Sequence, residues 1–289
     1  MGTTAADGVL LVDKPAGVTS HDVVAIARRA LDVKRIGHAG TLDPFATGLL
    51  ILLAGRATRL LPYLDDEPKV YEARIAFGAE TSTDDGTGAV TRTAPVPEEA
   101  AVRAAIPSLT GVIEQLPPDY SAKQVAGRRA YDAARSGAPL VLAPVRVTVH
   151  AWALAAWHDG VLDATITCGG GTYIRALARD LGRAAGSAAH LTALRRTRAG
   201  AFRVEDAAGL DVLKAGARPL RPPLDAVRSL PAAALGADAL TRVTHGMEVE
   251  ADLPDDASRA ALTDSAGALV AIAERSGARW RPRVVLRDA

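Results

Sequence analysis

The sequence predicts an α+β protein built in two parts. Segments with the two-residue spacing of strands and segments with the 3.6-residue spacing of helices are both present, but they do not alternate regularly, as a doubly wound parallel sheet would require. Three prolines fall within residues 216–223, where few core residues occur, so we place a domain boundary near Asp225. We expect an α+β core over residues 8–224 and a compact β-rich module over residues 225–289.

The first elements surround a polar loop. Residues 8–13 have the composition of a short buried strand. Thr19 or Ser20 is suited to cap a following helix, whose apolar positions recur at helical spacing at Val23, Val24, Ala27, Ala30 and Leu31. Residues 37–48 are rich in glycine, threonine and proline and lead into a second apolar strand over residues 49–53. Loops between core elements often carry functional residues.

The middle of the chain mixes strand and helix signals. Residues 69–77 alternate in polarity and predict a strand that turns Tyr71, Ala73, Ile75 and Phe77 to one face, so Tyr71 should point inward. Further patterns predict helices over residues 98–106 and 128–135 and strands over residues 145–154 and 161–168.

A glycine turn at residues 169–171 precedes another helix. Thr172 is suited to cap this helix and Gly182 to end it, which places Tyr173 and Arg175 in its first turn. The C-terminal module shows a helix pattern over residues 233–244, an acidic run over 248–256, and a hairpin of residues 268–274 and 279–286.

Composition excludes several classes of protein. Hydrophobic residues make up 48% and charged residues 23%, as in ordinary globular proteins, so disordered and fibrous classes are excluded. The single cysteine, Cys168, ends an apolar strand and predicts a buried thiol rather than a disulfide or a zinc ligand. The longest apolar run, residues 49–54, is too short to cross a bilayer, and the start of the chain lacks the basic residues of a signal peptide. We expect a cytoplasmic protein without a membrane partner.

Basic residues are unevenly distributed, although the net charge is only +1. Seven arginines face one acid, Asp180, between residues 172 and 203, and five basic residues face one acid, Asp132, between residues 121 and 150. Clustered arginine is typical of proteins that bind nucleic acid through its phosphates. An arginine-rich solvated surface is an equally good interpretation, because arginine outnumbers lysine 29 to 5 along the whole chain.

The common metal and nucleotide motifs do not occur in the sequence. Its six histidines do not have the spacing of a zinc enzyme, and neither a nucleophile elbow nor a phosphate-binding loop with its lysine is found. We therefore predict no catalytic metal.

Asp43 is the carboxylate with the most unusual surroundings. The segment G-H-A-G-T-L-D-P-F-A-T-G at residues 37–48 places it in a tight loop immediately before an apolar strand. A carboxylate beside apolar residues must be hydrogen-bonded or ion-paired, and an arginine such as Arg175 would keep it charged and oriented. An Asp-Pro turn without a catalytic function is the competing interpretation.

Several segments together resemble one family. The loop at residues 37–48 closely resembles the catalytic signature of the bacterial tRNA pseudouridine synthase B family, whose members isomerise the uridine at tRNA position 55 in the T-loop. Segments similar to its other motifs follow in family order: G-V-L-L-V-D-K-P at 8–15, K-V-Y-E-A at 69–73, P-P-D-Y-S-A at 117–122, G-R-R-A-Y at 127–131, G-G-T-Y-I-R-A-L at 170–177 and L-R-R at 194–196. One departure is Lys123, which stands one place before the lysine of the family pattern.

The resemblance implies a fold and a role for several positions. The implied fold is a pseudouridine synthase core with a mixed, mainly antiparallel sheet flanked by helices, a T-loop-gripping segment at about residues 117–146, and a PUA-like RNA-binding domain at 225–289. Asp43 would be the catalytic carboxylate and Arg175 its paired cation. The substrate-binding residues would be Tyr71 stacked on the base, Tyr173 and Leu194 lining its pocket, His38 filling the space it leaves, and Lys14 from the first motif.

The implied reaction breaks the C1′–N1 glycosidic bond, turns the uracil and joins C1′ to C5. No redox change occurs, so no cofactor is expected. Asp43 would act either as a nucleophile or as a base, and the sequence leaves both routes open. The expected partner is the T-arm of tRNA, in the elbow region, bound by a monomer that extrudes the target base from its stack.

Two other functions remain open on the sequence alone. A non-catalytic tRNA-binding or tRNA-folding protein would use the same surfaces, with Asp43 in a structural role. An aspartyl-phosphate phosphotransferase is faintly suggested by D-K-P-A-G-V-T at residues 13–19. Pro15 and Ala16 interrupt the phosphotransferase motif, and such an enzyme would need magnesium.

Overall fold

The computed structural model describes residues 7–287 except 121–123, 126–127 and 130–139, and it describes residues 124–125 and 128–129 by their backbone alone. The strands are β1 (Gly8–Lys14), β2 (Ile36–Ala39), β3 (Thr47–Ala54), β4 (Lys69–Phe77), β5 (Ala79–Thr81), β6 (Val90–Thr93), β7 (Gly111–Gln115), β8 (Gln124–Val125), β9 (Arg128–Arg129), β10 (Val145–His158), β11 (Val161–Cys168), β12 (Ala189–Ala199), β13 (Phe202–Arg203), β14 (Ala208–Gly209), β15 (Ala232–Ala234), β16 (Arg259–Thr263), β17 (Leu269–Ser276) and β18 (Arg279–Val285). The α-helices are α1 (Ser20–Leu31), α2 (Glu99–Ala105), α3 (Ile174–Ala184), α4 (Leu210–Lys214) and α5 (Ala237–Thr244). Short 3-10 helices cover Gly55–Tyr63, Ile106–Leu109, Val204–Asp206 and Pro223–Val227.

Ten strands form one mixed sheet. Its order is β14-β1-β3-β12-β4-β11-β10-β7, with β2 beside β3 and β13 beside β12. The pairs β1/β14 and β3/β12 are parallel, and the other pairs are antiparallel. The predicted α+β class with a mixed, mainly antiparallel sheet is thus confirmed.

Strands β1 and β3 are buried on both faces. Leu10 and Leu52 pack with α1 and α3 in one hydrophobic core, whereas Leu11 and Ile51 pack in a second core on the opposite face of the sheet. Burial on both faces explains why both strands have nearly unbroken apolar sequences instead of alternating ones.

The C-terminal module covers the second face. Its strands form a separate sheet in the order β15-β16-β17-β18. Ala261, Ile272 and Val284 of that sheet share the second core with β1 and β3. A side chain from the larger sheet's part of the chain also reaches across, since Arg56 Nη1 donates to the Leu286 carbonyl at 2.8 Å. The boundary near residue 225 stays a prediction, because the two sheets share this core.

Several predicted elements are confirmed by the structure. Strands β4 and β11 have the predicted limits, 69–77 and 161–168. Helix α1 begins after Thr19, whose hydroxyl accepts from the Asp22 N–H in a capping box. The C-terminal hairpin is also present as β17 and β18. Among the described residues, none of the helices has both the length and the apolar character needed to cross a membrane.

Other local predictions were wrong. Residues 37–39, predicted as loop, belong to β2 and pair with β3. Residues 233–234, predicted as helix, belong to β15, and α5 begins only at Ala237. Alanine favours helix, but here parallel pairing with β16 overrides that preference. The predicted helix at 128–135 begins with Arg128–Arg129 in strand β9, and the remaining residues lie outside the described part of the chain.

The ends of helix α3 also differ from the prediction. Tyr173 occupies the N-cap without a side-chain bond, while the Thr172 hydroxyl donates to the Gly169 carbonyl at 2.9 Å. The helix continues past Gly182 to Ala184. Gly182 serves close packing instead of termination, because a Cβ there would lie 2.5 Å from the Ala189 nitrogen.

Candidate active site

The loop that carries Asp43 connects β2 to β3 and is held by buried side chains. The Ser20 hydroxyl accepts from the Leu42 N–H at 3.0 Å and donates to the Leu42 carbonyl at 3.1 Å. On the other side of Asp43, Lys14 Nζ donates to the Pro44 carbonyl at 3.3 Å. The residues before and after Asp43 are therefore both tethered to other elements.

Arg196 also bonds the backbone on both sides of the Asp43 loop. Its side chain is buried, and it donates through Nε to the Leu49 carbonyl at 2.7 Å and through Nη2 to the Gly40 carbonyl at 2.8 Å. Gly48 has φ +99°, and a Cβ there would overlap the Arg196 backbone. Gly48 thus permits the close approach of strand β12.

Asp43 and Arg175 form a bidentate ion pair. Arg175 Nε donates to Asp43 Oδ2 at 2.8 Å, and Arg175 Nη2 donates to Asp43 Oδ1 at 3.1 Å. The Arg175 side chain is only 5% exposed, whereas that of Asp43 is 35% exposed. The carboxylate is thus oriented from one side and reachable from the other.

The remaining donors of Arg175 bind two backbone carbonyls. Nη1 donates to Thr83 at 2.7 Å, and Nη2 donates to Tyr120 at 2.7 Å. One guanidinium therefore joins the Asp43 loop to two other segments that surround it. A lysine would supply the charge but not this fork of donors.

A second carboxylate, Asp85, stands behind Arg175. Asp85 Oδ2 is 3.8 Å from Arg175 Nε, and its side chain is buried. Asp85 Oδ1 accepts from the Thr83 hydroxyl at 2.7 Å and from the Thr87 N–H at 2.9 Å. Sequence reasoning missed this residue, although the turn sequence T-D-D-G-T at 83–87 was a usable signal.

A cavity of about 260 Å³ opens beside the ion pair. Five of the predicted site residues line it together, namely Asp43, Tyr71, Tyr173, Arg175 and Leu194. The other described lining residues are Gly40, Thr41, Leu42, Lys69, Gly169, Gly171, Thr172, Ile174 and Arg196. Tyr71 faces inward as predicted, with 7% of its surface exposed.

Lys14 is not among the described residues that line the cavity. It is fully buried, and its Nζ donates to the carbonyls of Pro15, Val18 and Pro44. Burial lowers the pKa of Lys14 to about 8, against the opposing effect of Asp43. In this structure the ammonium group of Lys14 supports the loop from within the protein, and its expected contact with substrate stays a prediction.

His38 also lies outside the described cavity lining. Its ring contacts His21 edge to face, with 5.4 Å between centroids, and its buried Nδ1 has no hydrogen-bond partner among the described residues. Burial has the largest effect on the pKa of His38 and lowers it, and the nearby His21 and Arg196 lower it further. The lowered pKa favours the neutral imidazole. The role of filling the space left by an extruded base stays a prediction.

The arginine cluster of residues 172–203 is less available to a polyanion than predicted. Arg175, Arg179 and Arg196 are buried. Arg179 donates to the Asp84 carboxylate and to the Leu116 carbonyl, both at 2.9 Å. These three of the seven arginines therefore bind other parts of this chain. Composition alone does not distinguish an arginine of this kind from one that binds phosphate.

Two further arginines of this cluster are ion-paired at the surface. Arg183 pairs with Glu80 at 2.7 Å, and hydrogen bonding by Arg183 lowers the pKa of that carboxyl. Arg195 pairs with Asp13 at 2.7 Å. Asp13, the residue on which a phosphotransferase would depend, is thus engaged by a bidentate arginine.

Cys168 is fully buried, and burial raises its pKa to about 11. A thiol of this kind is unreactive at neutral pH, in agreement with its prediction as a core residue. In the described part of the chain, no three His, Cys, Asp or Glu side chains gather as a possible metal site. The expectation of a metal-free enzyme stays a prediction.

Known proteins resemble this chain along nearly its whole length. A family model described as TruB family pseudouridylate synthase (N terminal domain) matches residues 28–174, and one described as tRNA pseudouridylate synthase B C-terminal domain matches residues 175–225. The tRNA pseudouridine synthase B of Thermobifida fusca is 46% identical over 97% of this chain and 98% of its own length. The protein of that name from Synechocystis sp. is 42% identical over 96% of this chain and 99% of its own.

A solved structure shares the fold. A chain in the crystal structure of a Cbf5-Nop10-Gar1 complex aligns with a TM-score of 0.73 and 26% identity, covering 97% of this chain and 85% of that one. Fold and site together define a pseudouridylate synthase. The matches over nearly the full length show that the chain belongs to the TruB family of these enzymes.

Proposed function

We propose that this protein isomerises the uridine at position 55 in the T-loop of tRNA to pseudouridine. The observation that carries the proposal is the bidentate Asp43–Arg175 pair in the wall of a cavity that Tyr71 also lines. Relatives named tRNA pseudouridine synthase B support tRNA as the substrate.

Binding begins with extrusion of the target base. Removing a uracil from its stack costs on the order of a few kcal/mol. Stacking on an aromatic ring returns about 1–3 kcal/mol, and Tyr71 supplies that ring at the cavity wall. Tyr173 and Leu194 complete the walls around the base. The cavity volume of about 260 Å³ suits a single base better than a larger ligand.

The reaction then exchanges one bond for another. The C1′–N1 bond breaks, the uracil rotates, and C1′ bonds to C5, so the C5 proton leaves to water and N1 gains a proton. Asp43 is the carboxylate that acts on the nucleotide, either as a nucleophile or as a base toward the ribose. Arg175 orients both oxygens of Asp43 from the buried side. Atoms and electrons balance without a redox partner, so the proposal includes no cofactor and no metal.

The proposal assigns the larger surfaces to the RNA. The T-arm at the tRNA elbow is bound by the segment at about 117–146, half of which lies outside the described residues, and by a PUA-like module at 225–289. The enzyme acts as a monomer in the cytoplasm.

The decisive experiment combines tritium release with mapping of the modified position. Unmodified tRNA that carries tritium at uridine C5 is incubated with the wild type and with Asp43→Asn. We expect the wild type to release one tritium per tRNA and to form pseudouridine at position 55. Asp43→Asn should bind T-arm RNA normally yet lose on the order of a thousandfold or more in rate.

Each rival function gives a different result. A non-catalytic tRNA-binding protein would bind the RNA without tritium release by the wild type. A turnover of Asp43→Asn equal to that of the wild type would contradict the catalytic role of Asp43. A magnesium-dependent phosphotransferase would lose its activity in excess chelator, whereas we expect tritium release to continue there.

A further inference from the structure

Gln115 binds the backbone at the start of helix α3. It ends strand β7 and is fully buried. Its Oε1 accepts from the Tyr173 N–H at 2.8 Å, and its Nε2 donates to the Tyr173 carbonyl at 3.1 Å. The amide thus pairs with both backbone groups of one residue, as a neighbouring strand would.

Ser20 makes the corresponding bonds on the other side of the site. Its hydroxyl is buried and bonds both the N–H and the carbonyl of Leu42, at 3.0 and 3.1 Å. Like Gln115, it uses a side chain to satisfy the two backbone groups of a single loop residue. Buried polar groups bonded in this way hold a backbone segment in one position.

The two bonded residues stand next to the catalytic ion pair. Leu42 immediately precedes Asp43, and Tyr173 is the N-cap of the helix that carries Arg175 in its first turn. Ser20 therefore bonds the backbone next to Asp43, and Gln115 bonds the backbone at the start of the helix that carries Arg175. Neither Ser20 nor Gln115 is among the described residues that line the cavity.

We propose that Ser20 and Gln115 are positioning residues that set the geometry of the Asp43–Arg175 pair for catalysis. This inference rests on the proposed function. The pair is bidentate, so both of its hydrogen bonds require the two backbones to keep one distance and one angle. A displacement of about 1 Å at a catalytic group is enough to cost on the order of a hundredfold in rate.

Other contacts keep both segments folded when one of these side chains is lost. Arg196 holds Gly40 of the Asp43 loop, and the Thr172 hydroxyl holds Gly169 of the turn before α3. Loss of Ser20 or Gln115 should therefore shift the catalytic pair without unfolding either segment. This separates a positioning role from a purely structural one.

The test compares Ser20→Ala and Gln115→Leu with a matched control. Ser187→Ala removes an equally buried hydroxyl, which donates to the Pro95 carbonyl at 2.7 Å beyond the C-terminal end of α3. We expect each of the first two variants to lower the single-turnover rate of tritium release ten- to hundredfold. Their dissociation constants for T-arm RNA should stay within threefold of wild type. Ser187→Ala should keep the wild-type rate per folded molecule.

Gln115→Glu adds a readout that depends on pH. The carboxyl that it introduces keeps both bonds to Tyr173 when protonated, but it loses the donor and repels the Tyr173 carbonyl when ionised. The rate of this variant relative to the wild type should therefore rise as the pH is lowered. Gln115→Leu should show no such rise, because leucine does not titrate.

The inference is wrong if the folded Ser20→Ala and Gln115→Leu variants turn over at the wild-type rate, or if their loss lies entirely in RNA affinity. If Gln115→Leu does not fold, Gln115→Glu measured at two pH values decides instead, and a rate ratio that does not change with pH overturns the proposal. A wild type that forms no pseudouridine rejects the proposed function itself, which is a separate outcome.

Discussion

Arg175 and Asp43 are 132 residues apart in the chain, yet two nitrogens of the arginine donate to different oxygens of the carboxylate at 2.8 and 3.1 Å. The same guanidinium also holds the carbonyls of Thr83 and Tyr120. Because these segments are distant in sequence, the ion pair forms only in the folded protein. Its position at the cavity wall makes it the first target for mutation.

Arg175→Lys should slow the reaction more than it weakens RNA binding. Lysine keeps the charge but loses the fork of donors, so Asp43 is held less firmly, and we expect a loss of about a hundredfold in single-turnover rate. The guanidinium is almost completely buried and has no surface to offer to phosphate, so the affinity for T-arm RNA should change little. Wild-type turnover by Arg175→Lys, measured by tritium release, would contradict a positioning role for the fork.

Arg196 and Arg195 should differ sharply in their effect on stability. Arg196→Ala removes a buried guanidinium together with its bonds to the carbonyl of buried Leu49 and to that of exposed Gly40, so the free energy of unfolding should fall by about 3 kcal/mol. Arg195→Ala breaks a partly exposed pair with Asp13 and should cost about 0–1 kcal/mol.

Urea unfolding of the two variants tests this difference. The salt dependence of RNA binding adds a second comparison. Of the two side chains, only that of Arg195 is exposed enough to reach phosphate. Equal losses of stability would show that the buried contacts of Arg196 do not matter.

Gly48→Ala should destabilise the protein more than a glycine replacement at a similar backbone angle elsewhere. Gly48 has φ +99°, and a Cβ there would lie 2.8 Å from the Arg196 nitrogen and overlap the Arg196 carbonyl oxygen. Gly216 has φ +89° with nothing within 4 Å of its Cβ position, so Gly216→Ala measures the backbone strain alone, about 1–2 kcal/mol. The additional loss in Gly48→Ala, by thermal or urea unfolding, should be about 1–3 kcal/mol. The same loss in both variants would refute close packing as the reason for Gly48.

Lys14 should make stability depend on pH in the alkaline range. Burial lowers the pKa of Lys14 from 10.5 to about 8 in the folded protein, so between these values the unfolded chain binds more protons than the folded one. The contribution of this group to stability therefore rises with pH across that window. The difference in unfolding free energy between wild type and Lys14→Met should grow in favour of the wild type from about pH 8 to 10. A difference that stays constant or shrinks would contradict a depressed pKa.

Local patterns predicted the elements that carry the site. The alternation of residues 69–77 placed Tyr71 on the buried face, and the structure confirms that strand to the residue. The Thr19 cap and the apolar spacing after it predicted α1. Such signals succeed because hydrogen bonding and side-chain direction repeat at fixed intervals within a single element. They failed at residues 233–234, where pairing with a distant strand decided the structure.

The amino-acid sequence by itself determined the α+β class, the family resemblance and five of the residues that line the cavity. The resemblance already named Arg175 as the partner of Asp43, whereas only the tertiary structure decided which other clustered arginines are buried against backbone carbonyls and which side chains hold the loops in place. Charge and residue type are properties of single positions, whereas burial and bidentate geometry depend on segments brought together from distant parts of the chain. For that reason, Ser20, Asp85 and Gln115 gained a place beside the site only in the folded protein.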